Sequence, residues 1–300
     1  MATTTEEQAA QRTVRVGLAW ALLGVLLFSF SLPLTKVAVG GFSPYQTAMG
    51  RAVIAGVLAG ALLLIRRVPF PERVHLKPIV FTMIGAVFGW PILLALALER
   101  TTSAHAAVIA AFMPLTTALI AVLRTGERVS RQFWWAASLG TAALVAFALS
   151  RGGAEGGDLV ADLMVVGAVL FSSTCYVLGA EVTRHMPGWQ VISWVVVLAL
   201  PITVPASILI GVATQGDYDP TATEWAALIG LGVSSMYLGF FAWYRGLALG
   251  GIAAVGQLQL LQPFFTIIAS AWLLGEAVDG ATYLAAALVV AAIAAGRSRA

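Results

Sequence analysis

Charged residues are scarce in this chain: of its 300 residues only 10% are Asp, Glu, Lys or Arg, whereas 60% are hydrophobic. Soluble proteins carry about 25% charged residues. A soluble domain also leaves too much of its surface in water to hide so many apolar side chains. The composition therefore predicts that lipid surrounds most of the chain. The net charge of +3 rests on too few charges to indicate a nucleic-acid partner.

Metal-binding and nucleotide-binding patterns are missing as well. The single cysteine, Cys175, excludes an internal disulfide and a cysteine metal cluster. The three histidines, His75, His105 and His185, are dispersed at predicted helix ends. The sequence contains no Gly-x-x-x-x-Gly-Lys-Ser/Thr loop, no His-Glu-x-x-His and no Gly-x-Ser-x-Gly. We therefore expect no catalytic residue, no metal, no cofactor and no ATP as a partner.

Hydrophobic runs of about 20 residues, long enough to cross a bilayer as a helix, alternate with short polar breaks. The first run is longer than the apolar core of a signal peptide and has no small-residue cleavage pattern, so it is interpreted as a retained helix. The runs predict an all-α integral membrane protein with ten transmembrane helices, near residues 16–39, 45–65, 78–98, 103–123, 132–150, 160–183, 189–213, 223–247, 252–274 and 280–296.

The positions of lysine and arginine indicate how these helices are oriented. With the N-terminus in the cytoplasm, 13 of the 17 cationic residues fall in cytoplasmic segments, as the positive-inside rule requires. The remaining four, Lys36, Arg51, Arg100 and Arg151, fall at the outer side. The prediction is a cytoplasmic N-terminal tail (1–15), a first five-helix repeat (16–150), a periplasmic linker (151–159), a second five-helix repeat (160–296) and a cytoplasmic C-terminal tail (297–300).

One motif, P-x-x-T-x8-G-E-x-V, occurs twice. It begins at Pro114 and again at Pro263, 149 residues later. An odd number of crossings separates the two copies, so the second five-helix repeat is inverted relative to the first. Inverted repeats are typical of secondary transporters that alternate between inward-open and outward-open states around a site near the membrane midplane.

Residues 97–149 and 242–296, which carry the two motif copies, resemble the EamA-type domain of the drug/metabolite transporter (DMT) superfamily. The resemblance extends over residues 16–296. The run "FFAWYRGLALG" in the predicted eighth helix is similar to the YddG-type group of amino-acid and metabolite exporters. This resemblance implies ten helices, cytoplasmic termini, a central cavity and export of small metabolites.

Four prolines, Pro33, Pro91, Pro114 and Pro263, fall within predicted spans. Because proline removes a backbone hydrogen bond, each is a candidate kink or hinge beside a cavity, with a static packing kink as the alternative. The Gly-Glu pair of the motif predicts the boundary between two helices. Gly126 and Gly275 are expected to end one helix, and Glu127 and Glu276 are expected near the start of the next.

Polar amides distinguish the second motif copy from the first. Gln257, Gln259 and Gln262 precede Pro263, whereas the matching positions of the first copy are apolar. Amides are costly at membrane depth unless they have partners. They are therefore candidate substrate contacts, with interhelical hydrogen bonds as the alternative.

Aromatic and hydroxyl side chains within the spans complete the candidate cavity. Tyr and Trp combine an apolar face with a polar tip, although many anchor helices at the membrane interface instead. The candidates are Trp90, Tyr237, Trp20, Tyr244, Ser172 and Tyr176. Lys36 is the cation chosen for a substrate carboxylate, with snorkelling to the interface as the alternative.

Together the sequence predicts a non-enzymatic secondary transporter of the bacterial inner membrane. It exports amino acids, aromatic ones among them, or related small metabolites by alternating access. Its partners are a small-molecule substrate and the lipid bilayer, and one subunit is the expected functional unit. The alternatives are a multidrug, nucleoside or sugar transporter of the same superfamily, a channel, or a membrane enzyme.

Overall fold

The computed structural model of the protein describes residues 2–100, 106, 109–110, 112–126, 130–150, 158–274 and 288. Within these ranges the regular structure is helical, apart from one bridge between Gln215 and Tyr218. The prediction of an all-α protein is confirmed.

The helices are named in chain order. They are α1 (Ala2–Ser29), α2 (Ser31–Ala38), α3 (Pro44–Ile65), α4 (Arg73–Met83), α5 (Trp90–Arg100), α6 (Met113–Thr125), α7 (Arg131–Ser150), α8 (Leu159–Val182), α9 (Gly188–Ala213), α10 (Ala222–Gly230), α11 (Gly239–Gly250), α12 (Ile252–Gly256) and α13 (Gln262–Leu274). Two π-helical segments, π1 (Ile84–Gly89) and π2 (Leu231–Leu238), continue α4 into α5 and α10 into α11. A 3-10 segment, Gln257–Leu261, joins α12 to α13.

Six helical stretches in the described ranges are long and apolar enough to cross a membrane. They are Gln11–Ala38, Pro44–Ile65, Arg73–Arg100, Leu159–Val182, Gly188–Ala213 and Ala222–Gly250. Each overlaps a predicted span. The shorter apolar helix α6 lies in the predicted fourth span, and residues 280–296 lie outside the described ranges apart from Leu288. The count of ten helices therefore stays a prediction.

Large apolar side chains cover much of the outer surface. Leu64, Leu123 and Trp272 are 79%, 77% and 76% exposed. A water-soluble protein rarely exposes broad apolar patches, whereas a lipid-facing surface requires them. The outer surface thus agrees with the membrane environment that the composition predicts.

The first helix is longer than the sequence predicts. Residues 1–15 were expected to form a polar tail, but α1 begins at Ala2 and continues to Ser29. The stretch Glu6–Gln11 contains glutamate, glutamine and alanine, which have high helix propensity and allow the membrane helix to extend into the polar segment.

The four candidate prolines lie in first turns and not in uninterrupted helix. Pro91, Pro114 and Pro263 are the second residues of α5, α6 and α13, and Pro33 is the third residue of α2. The expectation that Pro114 and Pro263 sit in mid-helix is therefore corrected. At Pro114, which follows the N-cap residue Phe112, the first-turn N–H groups have no intrahelical partner, so proline is tolerated. Pro91 instead follows π1 directly, and the Trp90 N–H donates to the Gly85 carbonyl. The four positions mark places where a span is interrupted or changes helix type.

The two halves of the chain pack on each other in an exchanged pattern, in which the first span of each half contacts the third span of the other half. The first helix, α1, packs along α11, and α8 packs correspondingly along α4, π1 and α5, while α3 and α9 pack on each other. Glycine permits both exchanged contacts: a Cβ on Gly24 would lie 3.0 Å from the Trp243 nitrogen, and one on Gly85 would lie 2.5 Å from the Phe171 oxygen.

Candidate functional site

Tyr176 of α8 lies at the centre of an aromatic cluster, which consists of Phe28, Tyr176, Phe240, Trp243 and Tyr244. Its ring centroid is 6.1 Å from that of Phe28, 5.8 Å from that of Phe240 and 5.4 Å from that of Trp243. All five side chains are buried. They come from α1, α8 and α11, so both halves of the chain contribute.

Polar side chains surround the hydroxyl at the tip of Tyr176. This hydroxyl interacts with the side chains of Ser172 and Gln259 and, electrostatically, with the guanidinium of Arg51. Gln259 lies in the 3-10 segment, where its Nε2 donates to the Met113 sulfur at 3.5 Å. Its Oε1 is buried without a hydrogen-bond partner in the structure. An aromatic surface thus adjoins an unsatisfied acceptor and a cation.

Arg51 was not among the predicted site residues. It was expected at the outer edge because the second predicted span, 45–65, begins on the outer side of the membrane only six residues earlier. The structure shows it 4% exposed, with Nη2 donating to the Ser235 hydroxyl at 2.7 Å. Ser235 lies in π2 and donates in turn to the Leu231 carbonyl at 3.2 Å. A charged residue inside an apolar helix was the available sequence signal.

A second set of hydroxyls lines the contact between α6 and α8. The hydroxyls of Thr116 and Ser173 lie 2.7 Å apart, and Ser173 also donates to the Met113 carbonyl at 3.5 Å. Ser29, at the end of α1, donates to the Val25 carbonyl at 2.7 Å and approaches the Gln262 carbonyl at 3.3 Å. Gln262 itself is half-buried at the start of α13. These hydroxyl and carbonyl groups thus lie near Phe30 and Phe112, the residues that precede α2 and α6.

The predicted aromatic pair from the third helix of each half lies at one core cluster. Tyr237 belongs to this cluster, and its hydroxyl is 2.9 Å from the Ser193 hydroxyl of α9. Trp90 is half-buried and packs both against the cluster that contains Tyr237 and against a second one that includes Leu94 and Val165. Each aromatic residue lies at the C-terminal part of a π segment or just after it, a feature that the sequence pattern did not reveal.

Three other predicted residues have different positions. Trp20 is half-buried under the Arg245 guanidinium, which lies 5.0 Å from its ring centroid, and its ring is 6.1 Å from that of Phe241. Lys36 is exposed in the last turn of α2. Gln257 is buried, and its Nε2 has no hydrogen-bond partner in the structure. Lys36 and Trp20 are therefore not brought into contact with the Tyr176 hydroxyl in the described contacts.

Tyr244 is fully buried, and its hydroxyl donates to the Cys175 carbonyl at 3.0 Å. This bond uses the polar tip of Tyr244 within the packing of α8 against α11. Its ring still belongs to the aromatic cluster through Phe240, whose centroid is 5.6 Å away.

The predicted helix-end residues are described only in part. Gly126 follows α6 with a left-handed φ of 68°, and its N–H donates to the Val122 carbonyl. Glycine adopts this conformation without the strain that a Cβ introduces. Glu127, Gly275 and Glu276 lie outside the described residues.

The described residues contain no group of three or more His, Cys, Asp or Glu side chains that could hold a metal ion. His75 and His185, which the sequence places far apart, stack with ring centroids 4.8 Å apart. Two imidazoles alone fall short of the three or four ligands of a typical zinc site.

Comparison with known proteins relates the chain to membrane transporters. The EamA-like transporter family matches residues 15–149 and 159–295. The "Uncharacterized transporter YdeK" of Bacillus subtilis is 42% identical over 275 residues, which are 92% of this chain and 94% of that protein. The "Aromatic amino acid exporter YddG" of Ancylobacter novellus is 26% identical over 275 residues, 89% of this chain and 91% of that one.

More distant similarities agree. The "S-adenosylmethionine/S-adenosylhomocysteine transporter" of Chlamydia muridarum is 27% identical over 154 residues, 51% of this chain and 48% of that protein. One protein of known crystal structure shares the fold with a TM-score of 0.76 and 23% identity, over 94% of this chain and 99% of that one. Because the family matches nearly the whole length in two successive segments, the chain belongs to the EamA-like transporter family, a membrane transporter family of the drug/metabolite transporter superfamily.

Proposed function

We propose that this protein is a secondary transporter that exports amino acids, aromatic ones among them, or related small metabolites. The observation that carries the proposal is the Tyr176 environment. There an aromatic cluster adjoins unsatisfied polar groups, between helices from both halves of the chain. An aromatic amino acid has the same two parts, a ring and a charged polar head.

The proposed mechanism is alternating access between two inverted five-helix repeats, residues 16–150 and 160–296, with a short periplasmic linker at 151–159. The exchanged packing of α1 on α11 and of α8 on α5 supports this arrangement, because a two-fold relation predicts such a pair of contacts. Relative movement of the halves would open the Tyr176 region to one side of the membrane at a time, with flexing at Pro33, Pro91, Pro114 and Pro263.

The proposed location is the bacterial inner membrane, with both termini in the cytoplasm and one subunit as the functional unit. The positive-inside distribution of lysine and arginine supports the orientation. The described membrane-spanning stretches carry no acidic residue near their midpoints. We therefore propose downhill transport or exchange, independent of ATP.

The name of the Ancylobacter novellus relative supports an aromatic amino acid as the substrate. A second candidate substrate class is suggested by the Chlamydia muridarum relative, whose name includes S-adenosylmethionine. That molecule also combines an aromatic ring with an amino-acid carboxylate. Both classes fit an aromatic surface beside a cation, and they differ in size.

The test is efflux from liposomes that contain the purified full-length protein. Vesicles are loaded separately with labelled L-phenylalanine, L-tryptophan, L-alanine or S-adenosylmethionine, and protein-free vesicles serve as the control. We expect saturable release of at least one of the amino-acid substrates without ATP. Release no faster than from protein-free vesicles for all four compounds would overturn the proposal.

A further inference from the structure

Arg51 is a buried cation without an anionic partner among the residues that the structure describes. It is 4% exposed, and the structure shows no ion pair to it from any described carboxylate. Within the described part of the chain, its side chain donates a hydrogen bond to a neutral hydroxyl, that of Ser235, and its Nε has no partner. A buried charge is costly unless an opposite charge or several hydrogen bonds stabilise it. Among the described residues, no carboxylate side chain is therefore the partner of this cation.

The guanidinium lies deep in the membrane-spanning part of the protein. Ser235, which accepts from it, is near the middle of the 29-residue apolar stretch Ala222–Gly250. Near a membrane surface a long cationic side chain extends to the headgroups and remains exposed. Arg51 instead points inward and is covered, so snorkelling does not account for its position.

The backbone around this contact is closely packed. A Cβ on Gly232 of π2 would lie 2.7 Å from the Ile54 Cβ and 3.0 Å from the Arg51 carbonyl oxygen. This close approach of α3 and π2 fixes the base of the arginine beside Ser235. Such π segments interrupt regular helices and occur frequently at functional sites. The cation is thus held on two rigid elements from different halves of the chain.

The other cations of the described spans have different surroundings. Lys36 is exposed, and Arg245 is exposed with its guanidinium over the Trp20 ring. The helix that packs along α3, α9, contains no charged residue. Arg51 therefore breaks the approximate equivalence of the two halves, as recognition of a substrate with one charged end requires.

We propose that Arg51 is the anion-binding residue of this transporter and accepts the carboxylate of an amino acid or similar carboxylic acid. The inference rests on the proposed function and specifies its polar contact. A planar guanidinium binds a carboxylate through two parallel N–H donors. Ala52, the next residue of α3, belongs to the same buried core cluster as Tyr176 and Phe240, so a substrate held at Arg51 can place its ring against the aromatic cluster. The free Gln259 Oε1 is then available to the ammonium group.

Binding of matched ligands to the purified full-length protein tests this assignment. The ligands are L-phenylalanine, L-phenylalaninamide, which lacks the carboxylate, and 3-phenylpropionate, which lacks the ammonium group. Wild-type protein is expected to bind L-phenylalanine about tenfold or more tightly than its amide. Arg51→Gln should abolish this preference with little change in amide binding, and Arg51→Lys should retain part of it. Lys77→Gln, the matched control for an exposed cation, should behave as wild type.

Four results would separate the possible errors. If wild-type protein binds the amide as tightly as L-phenylalanine, Arg51 is not a carboxylate site, whatever the variants do. If Arg51→Gln folds and keeps the wild-type preference, another group binds the carboxylate. If Arg51→Gln does not fold, Ser235→Ala replaces it and is expected to weaken L-phenylalanine binding more than amide binding; an equal effect on both overturns the assignment. If wild-type protein binds no amino acid in any form, the proposed function itself fails.

Discussion

The Tyr244 ring occupies the space beside Gly179, so that a Cβ on this glycine would lie 2.2 Å from the Tyr244 Cζ and hydroxyl oxygen. The two residues face each other between α11 and α8, and the Tyr244 hydroxyl donates to the Cys175 carbonyl of α8. Because Gly179 has no side chain, the Tyr244 ring of α11 fits against α8 and its hydroxyl donates a hydrogen bond to that helix.

Replacement of Gly179 by alanine should therefore destabilise the protein. The new methyl group must displace the Tyr244 ring and its hydrogen bond, and overpacking of this kind costs about 1–3 kcal/mol. Thermal unfolding of the detergent-purified variant is expected to begin several degrees below that of wild type. Gly60→Ala is the control, because its Cβ would meet only Val197 at an ordinary 3.7 Å. Equal melting temperatures of Gly179→Ala and Gly60→Ala would contradict the packing account.

The hydroxyl of Tyr176 should matter for binding more than for folding. Tyr176→Phe keeps the ring among Phe28, Phe240 and Trp243 but removes the hydroxyl that interacts with Ser172 and Gln259. We expect affinity for L-phenylalanine to fall about three- to tenfold, with a melting temperature close to wild type. Tyr45→Phe is the control, since Tyr45 is 48% exposed. Unchanged affinity in Tyr176→Phe would remove this hydroxyl from the site.

Two glutamines should separate a binding role from a packing role. Each has an amide oxygen without a hydrogen-bond partner in the structure, and each Nε2 donates one hydrogen bond, from Gln259 to the Met113 sulfur and from Gln46 to the Ser207 hydroxyl. Gln259→Met should lower affinity for L-phenylalanine about tenfold, because it removes the amide next to Tyr176. Gln46→Met is the matched control and should leave affinity unchanged. Ligand titration of both variants checks the contrast, and an equal change of affinity in the two would refute the assignment of Gln259.

A surface ion pair should make stability depend on pH at the start of α8. Asp158 accepts from the Arg100 Nε at 2.6 Å and from the Val160 N–H at 2.8 Å, and these contacts hold the pKa of its carboxyl below the ordinary value. A depressed pKa contributes stability above the unfolded pKa, and that contribution is lost as pH falls through the folded pKa. Asp158→Asn keeps a helix-capping oxygen but removes the charge.

The melting temperature of Asp158→Asn should therefore lie below that of wild type near pH 7, and the two should converge in the acid range below about pH 4. The difference is expected to be small because both side chains are partly exposed. Arg100→Gln should remove the same pH dependence. A difference that is equally large at neutral and acidic pH would show that the ion pair is not its source.

The class of the protein follows from the sequence because it depends on residue type along the chain. Apolar runs of helical span length require lipid and internal backbone hydrogen bonds. The predicted spans overlap the six long apolar helices found in the described ranges. The motif at Pro114 and Pro263 likewise led to the correct family. These features need no knowledge of which helix faces which.

The parts that sequence alone did not reveal depend on packing between distant helices. The two π segments, Ile84–Gly89 and Leu231–Leu238, have a backbone hydrogen-bond pattern that differs from that of an α-helix. Their residue types do not indicate this difference. Arg51 is only seven residues beyond Pro44, so its distance along the chain suggested an outer edge, whereas its side chain reaches Ser235 in π2. The contact between the Trp20 ring and the Arg245 guanidinium likewise joins residues far apart in the sequence.

Counterflow in liposomes tests the central claim most directly, because it separates alternating access from a channel and from an enzyme. Vesicles with the full-length protein are loaded with unlabelled L-phenylalanine, diluted into a trace of labelled L-phenylalanine without ATP, and sampled over time. The account predicts transient accumulation of label far above that in vesicles without internal substrate, and loss of this accumulation in Tyr176→Ala. Label entry that is unaffected by internal L-phenylalanine would contradict alternating access around the Tyr176 site.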